Sequence, residues 1–178
     1  MLTALGFLTA LPVPRAGELK PGALARSLAS FPLVGLLVGA LLVALDLALL
    51  AVLPVGVRAA LLIVAVVALT RGLHLDGLMD CCDGLFGGFT PERRLAIMRD
   101  SRVGAFGVLG AVAILLLRYS GVVALGGAWL LPGLLLPPLL GRWAMVLAMV
   151  AYPYGRAEGL GAAFKAAAGW RHLVLATI

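Results

Sequence analysis

FPLVGLLVGALLVALDLALLAVL, residues 31–53, is a run of 23 residues with a single charge. At about 1.5 Å of rise per residue, such a run is long enough to cross the roughly 30 Å hydrocarbon core of a bilayer as one helix. It has no period-2 alternation, so a helix is favoured over a barrel strand. A Pro54-Val55-Gly56 turn closes it. Three more apolar stretches follow, at about 57–70, 103–126 and 129–151, with Pro132, Pro137 and Pro138 making the last irregular. Composition agrees: 63 % of residues are hydrophobic, only 12 % are charged, and the mean hydropathy is +1.12. Soluble domains carry about 25 % charged residues. The expected fold is an all-α polytopic helical bundle in a membrane, one transmembrane domain over residues 1–178 with about four spans.

The basic residues orient the bundle. With the N-terminus inside, Arg15, Lys20, Arg26, Arg71, Arg93, Arg94, Arg99, Arg102, Arg156, Lys165 and Arg171 all fall on the cytoplasmic side, 11 of 14, as the positive-inside rule requires. Arg58 is then outside, free to snorkel at the end of its span. Arg118 and Arg142 lie within or near spans and should face the bundle interior or reach an interface. A second partition, with a boundary at Tyr119 and a further span after Leu140, would move Arg156 and Lys165 outside and ranks lower. The first 14 residues lack a basic n-region and carry Pro12 and Pro14, so they read as an in-plane or re-entrant segment rather than a signal peptide. The two cysteines are adjacent, which gives no disulfide framework. The dispersed basic residues, without interleaved aromatics, argue against nucleic acid as a partner.

Charge of the other sign is concentrated. Of eight acidic residues, Asp76, Asp80, Asp83, Glu92 and Asp100 fall within 25 positions, in a polar segment at 71–102 read as cytoplasmic and catalytic. A helix over 74–86 places Asp76, Asp80 and Asp83 within roughly 60° of one another. Like charges at that spacing repel. Three uncompensated carboxylates at a bilayer centre would cost about 8–10 kcal/mol on the insertion scale. The face must therefore meet water or a cation. Carboxylate oxygens suit Mg²⁺ or Mn²⁺. Cys81, Cys82 and His74 lie about 140°, 240° and 160° around from Asp76, which argues against zinc. Aspartates beside arginines suggest handling of phosphate. Asp100, in Arg99-Asp100-Ser101-Arg102, is a fourth candidate ligand or base between two phosphate-binding arginines; the plainer reading is a cap for the next helix. Gly104, Gly107 and Gly110 read as a packing seam, Cys81 and Cys82 as core, His74 as an interface anchor, Arg93 and Arg94 as a solvated face, and Thr90-Pro91-Glu92 as a helix start.

Two linked stretches, His74-Leu-Asp-Gly-Leu-Met-Asp-Cys-Cys-Asp-Gly84 and Glu92-Arg-Arg-Leu-Ala-Ile-Met-Arg-Asp-Ser-Arg-Val-Gly104, resemble the signature of the cobalamin synthase family, the adenosylcobinamide-GDP ribazoletransferases. Phe7-Leu-Thr-Ala-Leu-Pro-Val-Pro14, Phe31-Pro-Leu-Val-Gly35 and Gly155-Arg-Ala-Glu-Gly-Leu-Gly161 match further stretches in the family's order. The resemblance implies an Mg²⁺-dependent, multi-pass enzyme of a prokaryotic cytoplasmic (inner) membrane, its active site facing the cytoplasm. It implies transfer of the cobinamide-phosphate group of adenosylcobinamide-GDP to α-ribazole or its 5′-phosphate, with release of GMP. It places Asp76, Asp80, Asp83 and Asp100 at the metal and catalytic site, and Arg99, Arg102, Arg156 and Glu158 at substrate or phosphate contacts. Ala10 stands where the family usually has Arg. The family also continues through further C-terminal helices. The resemblance leaves an oligomer open. The alternatives are another membrane phosphotransferase of CDP-alcohol type, whose motif shares Asp80-x-x-Asp83-Gly84, or a cation-coupled transporter.

Overall fold

The computed structural model describes residues 1–14, 23–155 and 160–178. Among them there are ten α-helices and no strand. The helices are α1 (Leu2–Leu8), α2 (Ala23–Leu28), α3 (Phe31–Leu49), α4 (Val55–Leu69), α5 (Leu73–Gly87), α6 (Pro91–Ile97), α7 (Ala105–Ala124), α8 (Leu130–Ala151), α9 (Leu160–Ala167) and α10 (Trp170–Thr177). Three helical stretches are long and apolar enough to cross a membrane: Arg26–Leu49, Ala105–Ala124 and Gly127–Ala151. A fourth crossing exists only if α4 and α5 together form one broken span. The expected second span is thus too short alone: the 15 residues of α4 rise about 22 Å. The all-α polytopic membrane fold stands. The lower-ranked partition does not, because α7 runs unbroken through Tyr119 and α8 through Leu140.

The bundle's main contact is α3 against α8, and two glycines make it. A Cβ at Gly35 or Gly39 would come within 3.0 Å of α8 backbone at Pro138 and Leu135. This small-xxx-small pair lets the helix axes approach closely where no hydrophobic force drives association within lipid. α8 stays helical through Pro137 and Pro138. The second of these prolines is buried against α3, and its carbonyl accepts a hydrogen bond from Arg142 Nη1 at 3.3 Å. Close tertiary packing against α3 offsets the two missing N–H groups. One core cluster joins Ala4, Leu8, Leu28, Phe31, Val34, Val146 and Phe164, so the opening helix is packed into the bundle. In it the rings of Phe7, Phe31 and Phe164 stand 5.0–6.1 Å apart. A second cluster joins Val38, Leu42, Leu62 and Leu134.

Between α4 and α5 the chain bends by 88°, so both cannot lie along the membrane normal. The elbow is a Schellman-type ending: Gly72 N–H donates to Val67 O (2.8 Å) and Arg71 N–H to Ala68 O (3.2 Å). Arg71 (φ 52°) and Gly72 (φ 69°) both sit in the left-handed region; the glycine bears this freely, the arginine at a cost. From the elbow α5 runs antiparallel to α7. Asp83 meets Gly104 and Gly107, and Cys82 meets Gly110. His74, Leu75 and Leu78 share a cavity with Ile114, Leu115 and Arg118.

Arg58 departs from expectation. It does not snorkel: it is buried on α4, with Nε 3.0 Å from Oδ1 of Asp46 on α3, itself buried. The Nε–H is not aligned on that oxygen as a hydrogen bond, so the contact is mainly coulombic. An intramembrane carboxylate is the signal that finds this pair.

Candidate functional site

The aspartates of α5 occupy the helix that the sequence predicts, and Asp83 takes an unexpected post. Its Oδ2 accepts the N–H of Gly104 and its Oδ1 the N–H of Gly107, both at 2.8 Å. Gly104 is the N-cap of α7, and no side chain of its own segment caps that helix. A carboxylate borrowed from α5 therefore satisfies two otherwise orphaned N–H groups and sits at the positive end of the helix dipole. A Cβ at Gly104 or Gly107 would come within 3.0 Å of that carboxylate, and one at Gly110 within 3.0 Å of Cys82 Sγ. The three glycines form the expected seam, and its purpose is to admit Asp83. Cys82 packs there half-buried, whereas Cys81 is exposed rather than core.

Asp100 does not cap α7 either. It accepts the N–H of Arg102 at 3.0 Å and grips that guanidinium through Nε (3.0 and 3.1 Å) and Nη2 (2.6 Å). These hydrogen bonds hold the exposed Asp100 carboxyl down at about 2 and push Arg102 upward. The fork commits one edge of the guanidinium and leaves the opposite edge open, with the side chain 87 % exposed.

Asp83, Asp100 and Arg102 line one cavity of about 360 Å³, and Arg93 joins them. Arg93 is exposed, as expected of a solvated face, and also borders this cavity; the rotation of α6 selects it over Arg94, and the sequence carries no mark of that choice. Thr90 caps α6 as expected, accepting the Arg93 N–H at 3.2 Å. Arg94 turns inward instead of facing solvent, and its Nε donates to Gly88 O at 2.9 Å to close the α5–α6 turn. Asp76 opens on a different cavity of about 560 Å³, at the elbow, with Phe7, Thr70, Arg71 and Met79. Asp80 is partly buried between them along α5, and Arg99 is exposed and lines neither cavity. Arg156 and Glu158 lie outside the described residues.

Among the described residues, no three His, Cys, Asp or Glu side chains converge to cage a metal ion. The four expected carboxylates are thus strung along α5 and the α6–α7 connection rather than gathered at a point. That donor set is all oxygen. It fits a hard divalent ion of the Mg²⁺ type, which takes one or two carboxylates and completes its shell with water and phosphate oxygens. Asp76 and Asp80, one turn apart, are the candidates to hold it, with Asp83 beside them already tied to α7. Arg93 and Arg102 supply the complementary anion-binding side, since the α7 N-terminus is already taken by Asp83.

Comparison with known proteins places the chain in a family. The family model described as cobalamin-5-phosphate synthase matches residues 1–178. A relative from Desulfitobacterium hafniense is 47 % identical over 166 residues, covering 90 % of this chain and 65 % of its own length. One from Roseiflexus sp. is 43 % identical over 162 residues (91 % and 60 %), and one from Syntrophobacter fumaroxidans is 46 % identical over 180 residues (98 % and 71 %). Each is named adenosylcobinamide-GDP ribazoletransferase. The chain thus spans roughly two thirds of the length of these relatives. No solved structure matches it. Matched over its whole length by the family model, with the Asp-rich helix lodged against a glycine seam at its centre, the chain belongs to the cobalamin-5-phosphate synthase family.

Proposed function

We propose that the protein transfers the cobinamide-phosphate group of adenosylcobinamide-GDP to α-ribazole or its 5′-phosphate and releases GMP. The observation that supports this best is the cavity where a carboxylate docked on a helix N-terminus meets Arg93, Asp100 and Arg102. A diphosphate donor needs cations around its oxygens and a fixed line between attacking and leaving groups. The acceptor's ribose hydroxyl oxygen forms the new bond to the phosphorus attached to cobinamide. The pyrophosphate P–O bond breaks, GMP departs with that electron pair, and the hydroxyl proton passes to a carboxylate or to water.

Asp76 and Asp80 would hold a bound Mg²⁺, which would neutralise diphosphate charge, while Asp83 and Asp100 line the neighbouring cavity. Asp83 fixes α5 against α7, so the aspartate face keeps its position as substrate binds. Arg93 and the open edge of Arg102 bind phosphate oxygens, with Arg102 aimed by Asp100. Arg99, Arg156 and Glu158 are substrate contacts by family likeness alone. The reaction takes place at the cytoplasmic side of a prokaryotic inner membrane.

The test incubates membranes carrying the whole protein with adenosylcobinamide-GDP, α-ribazole or its 5′-phosphate, and Mg²⁺, and measures GMP. Release should stop with EDTA and with Asp80→Ala plus Asp83→Ala. Absence of any Mg²⁺-dependent GMP, or CMP release from a CDP-alcohol donor instead, would overturn the reading.

A further inference from the structure

We infer that the groove between α4, α7 and α8 holds one anionic phospholipid, with its phosphate at Arg118, Arg142 and His74. Arg142 is only 6 % exposed, deep in α8. Its Nη1 reaches Pro138 O, but Nε and Nη2 are buried with no hydrogen-bond partner among the described residues. Both ring nitrogens of His74 are likewise buried and unpartnered. Arg118 stands exposed at the rim. The two arginines and His74 line a cavity of about 120 Å³, and among the described residues no acidic side chain lines it.

Buried arginine without a counter-charge is costly, and arginines within membrane segments pair with an anion. The groove's shape says which kind. The polar cavity shares wall residues Val66, Arg118, Pro137 and Arg142 with a second cavity of about 240 Å³ beside it. That second space is walled by apolar side chains such as Leu62, Val122 and Leu134, and no acidic group among the described residues lines it either. A cationic pocket side by side with an apolar one matches an amphiphile with a phosphate head and an acyl chain. Guanidinium groups suit phosphate oxygens geometrically, and a side chain at the rim can meet a lipid arriving from the bilayer. The site is separate from the aspartate face, since His74 points about 160° away from Asp76 around α5. The inference does not depend on the transfer reaction.

Native mass spectrometry of the whole protein, released from nanodiscs of phosphatidylglycerol or of phosphatidylcholine, tests it. One phosphatidylglycerol should remain per chain, retained about tenfold more than phosphatidylcholine. Arg118→Gln and Arg142→Gln should each reduce that retention several-fold, whereas Arg26→Gln, exposed on α2, should not. Arg118→Gln alters an exposed side chain and carries the test alone if Arg142→Gln fails to fold. Equal retention of the two lipids, or retention unchanged in a folded Arg118→Gln protein, overturns the inference. So does saturable binding of inorganic phosphate with no lipid retained, which would assign the arginines to a soluble anion.

Discussion

Asp83 Oδ1 accepts the backbone N–H of Gly107 at 2.8 Å, joining α5 to the first turn of α7 across 24 positions of sequence. With the matching bond to Gly104 it makes one side chain both a member of the acidic face and the cap of a neighbouring helix. Removing it strips two N–H groups of their acceptor. At about 1–3 kcal/mol for each buried donor left unsatisfied, Asp83→Ala should lower the thermal midpoint in detergent clearly and abolish activity together. Asp76→Asn changes a residue that closes no such bond, so it should lose Mg²⁺-dependent turnover with the midpoint nearly unchanged. Equal thermal midpoints for the two variants would remove the capping role.

The seam makes a sharper comparison within one helix. At Gly107 an added methyl collides with the Asp83 carboxylate, whereas at Gly121 it meets nothing within 4 Å. Gly121→Ala should stabilise by about 0.5–1 kcal/mol, through helix propensity alone. Gly107→Ala should destabilise despite the same propensity gain, because Asp83 must withdraw. Thermal unfolding of the pair in one detergent reads both signs, and two stabilising substitutions would refute the close approach.

Much of this was legible from residue type and period. Runs of apolar residues fix the helices, and the 76/80/83 spacing fixes which α5 residues share a face. Gly104, Gly107 and Gly110 announce a seam. What faces the seam was not legible, because helix pairing depends on how α5 doubles back at Arg71 and Gly72, and a left-handed arginine leaves no trace in hydropathy. Arg93 and Arg94 are chemically identical neighbours, separated only by α6's rotation. The α4–α5 elbow also explains why the second of the expected spans is not one straight helix: apolar composition continues to the bend, but the helix direction does not.

Asp100 gives a pH prediction of definite sign. Its carboxyl is held down at about 2 by the Arg102 hydrogen bonds, from an ordinary value of 3.8. A depressed acid contributes its interaction above the ordinary value and loses it as pH falls through the lowered one. Asp100 thus stays ionised throughout pH 5–9, and the acid limb of any activity profile belongs to another group. Carbon-13 NMR of the Asp100 carboxyl should show a midpoint near 2, rising toward 3.8 in Arg102→Gln. A midpoint already near 3.8 in the unaltered protein would mean that the fork does not form in solution.

The Asp46–Arg58 pair tests whether buried charge holds α3 to α4. Both side chains are less than 10 % exposed, with 3.0 Å between Nε and Oδ1. Deleting one partner strands the other in an apolar setting, a loss of about 3–5 kcal/mol in buried pairs, while replacing both by apolar groups is often neutral. Asp46→Leu and Arg58→Leu should each lower the thermal midpoint strongly, and the double variant should recover most of that loss. The contact lacks hydrogen-bond alignment, so its worth lies in neutralising two charges rather than in a directed bond. Arg58→Lys, which keeps the charge but not the guanidinium geometry, should therefore retain most of the stability. A lysine variant as unstable as the leucine one would show that guanidinium shape, not charge, holds the two helices.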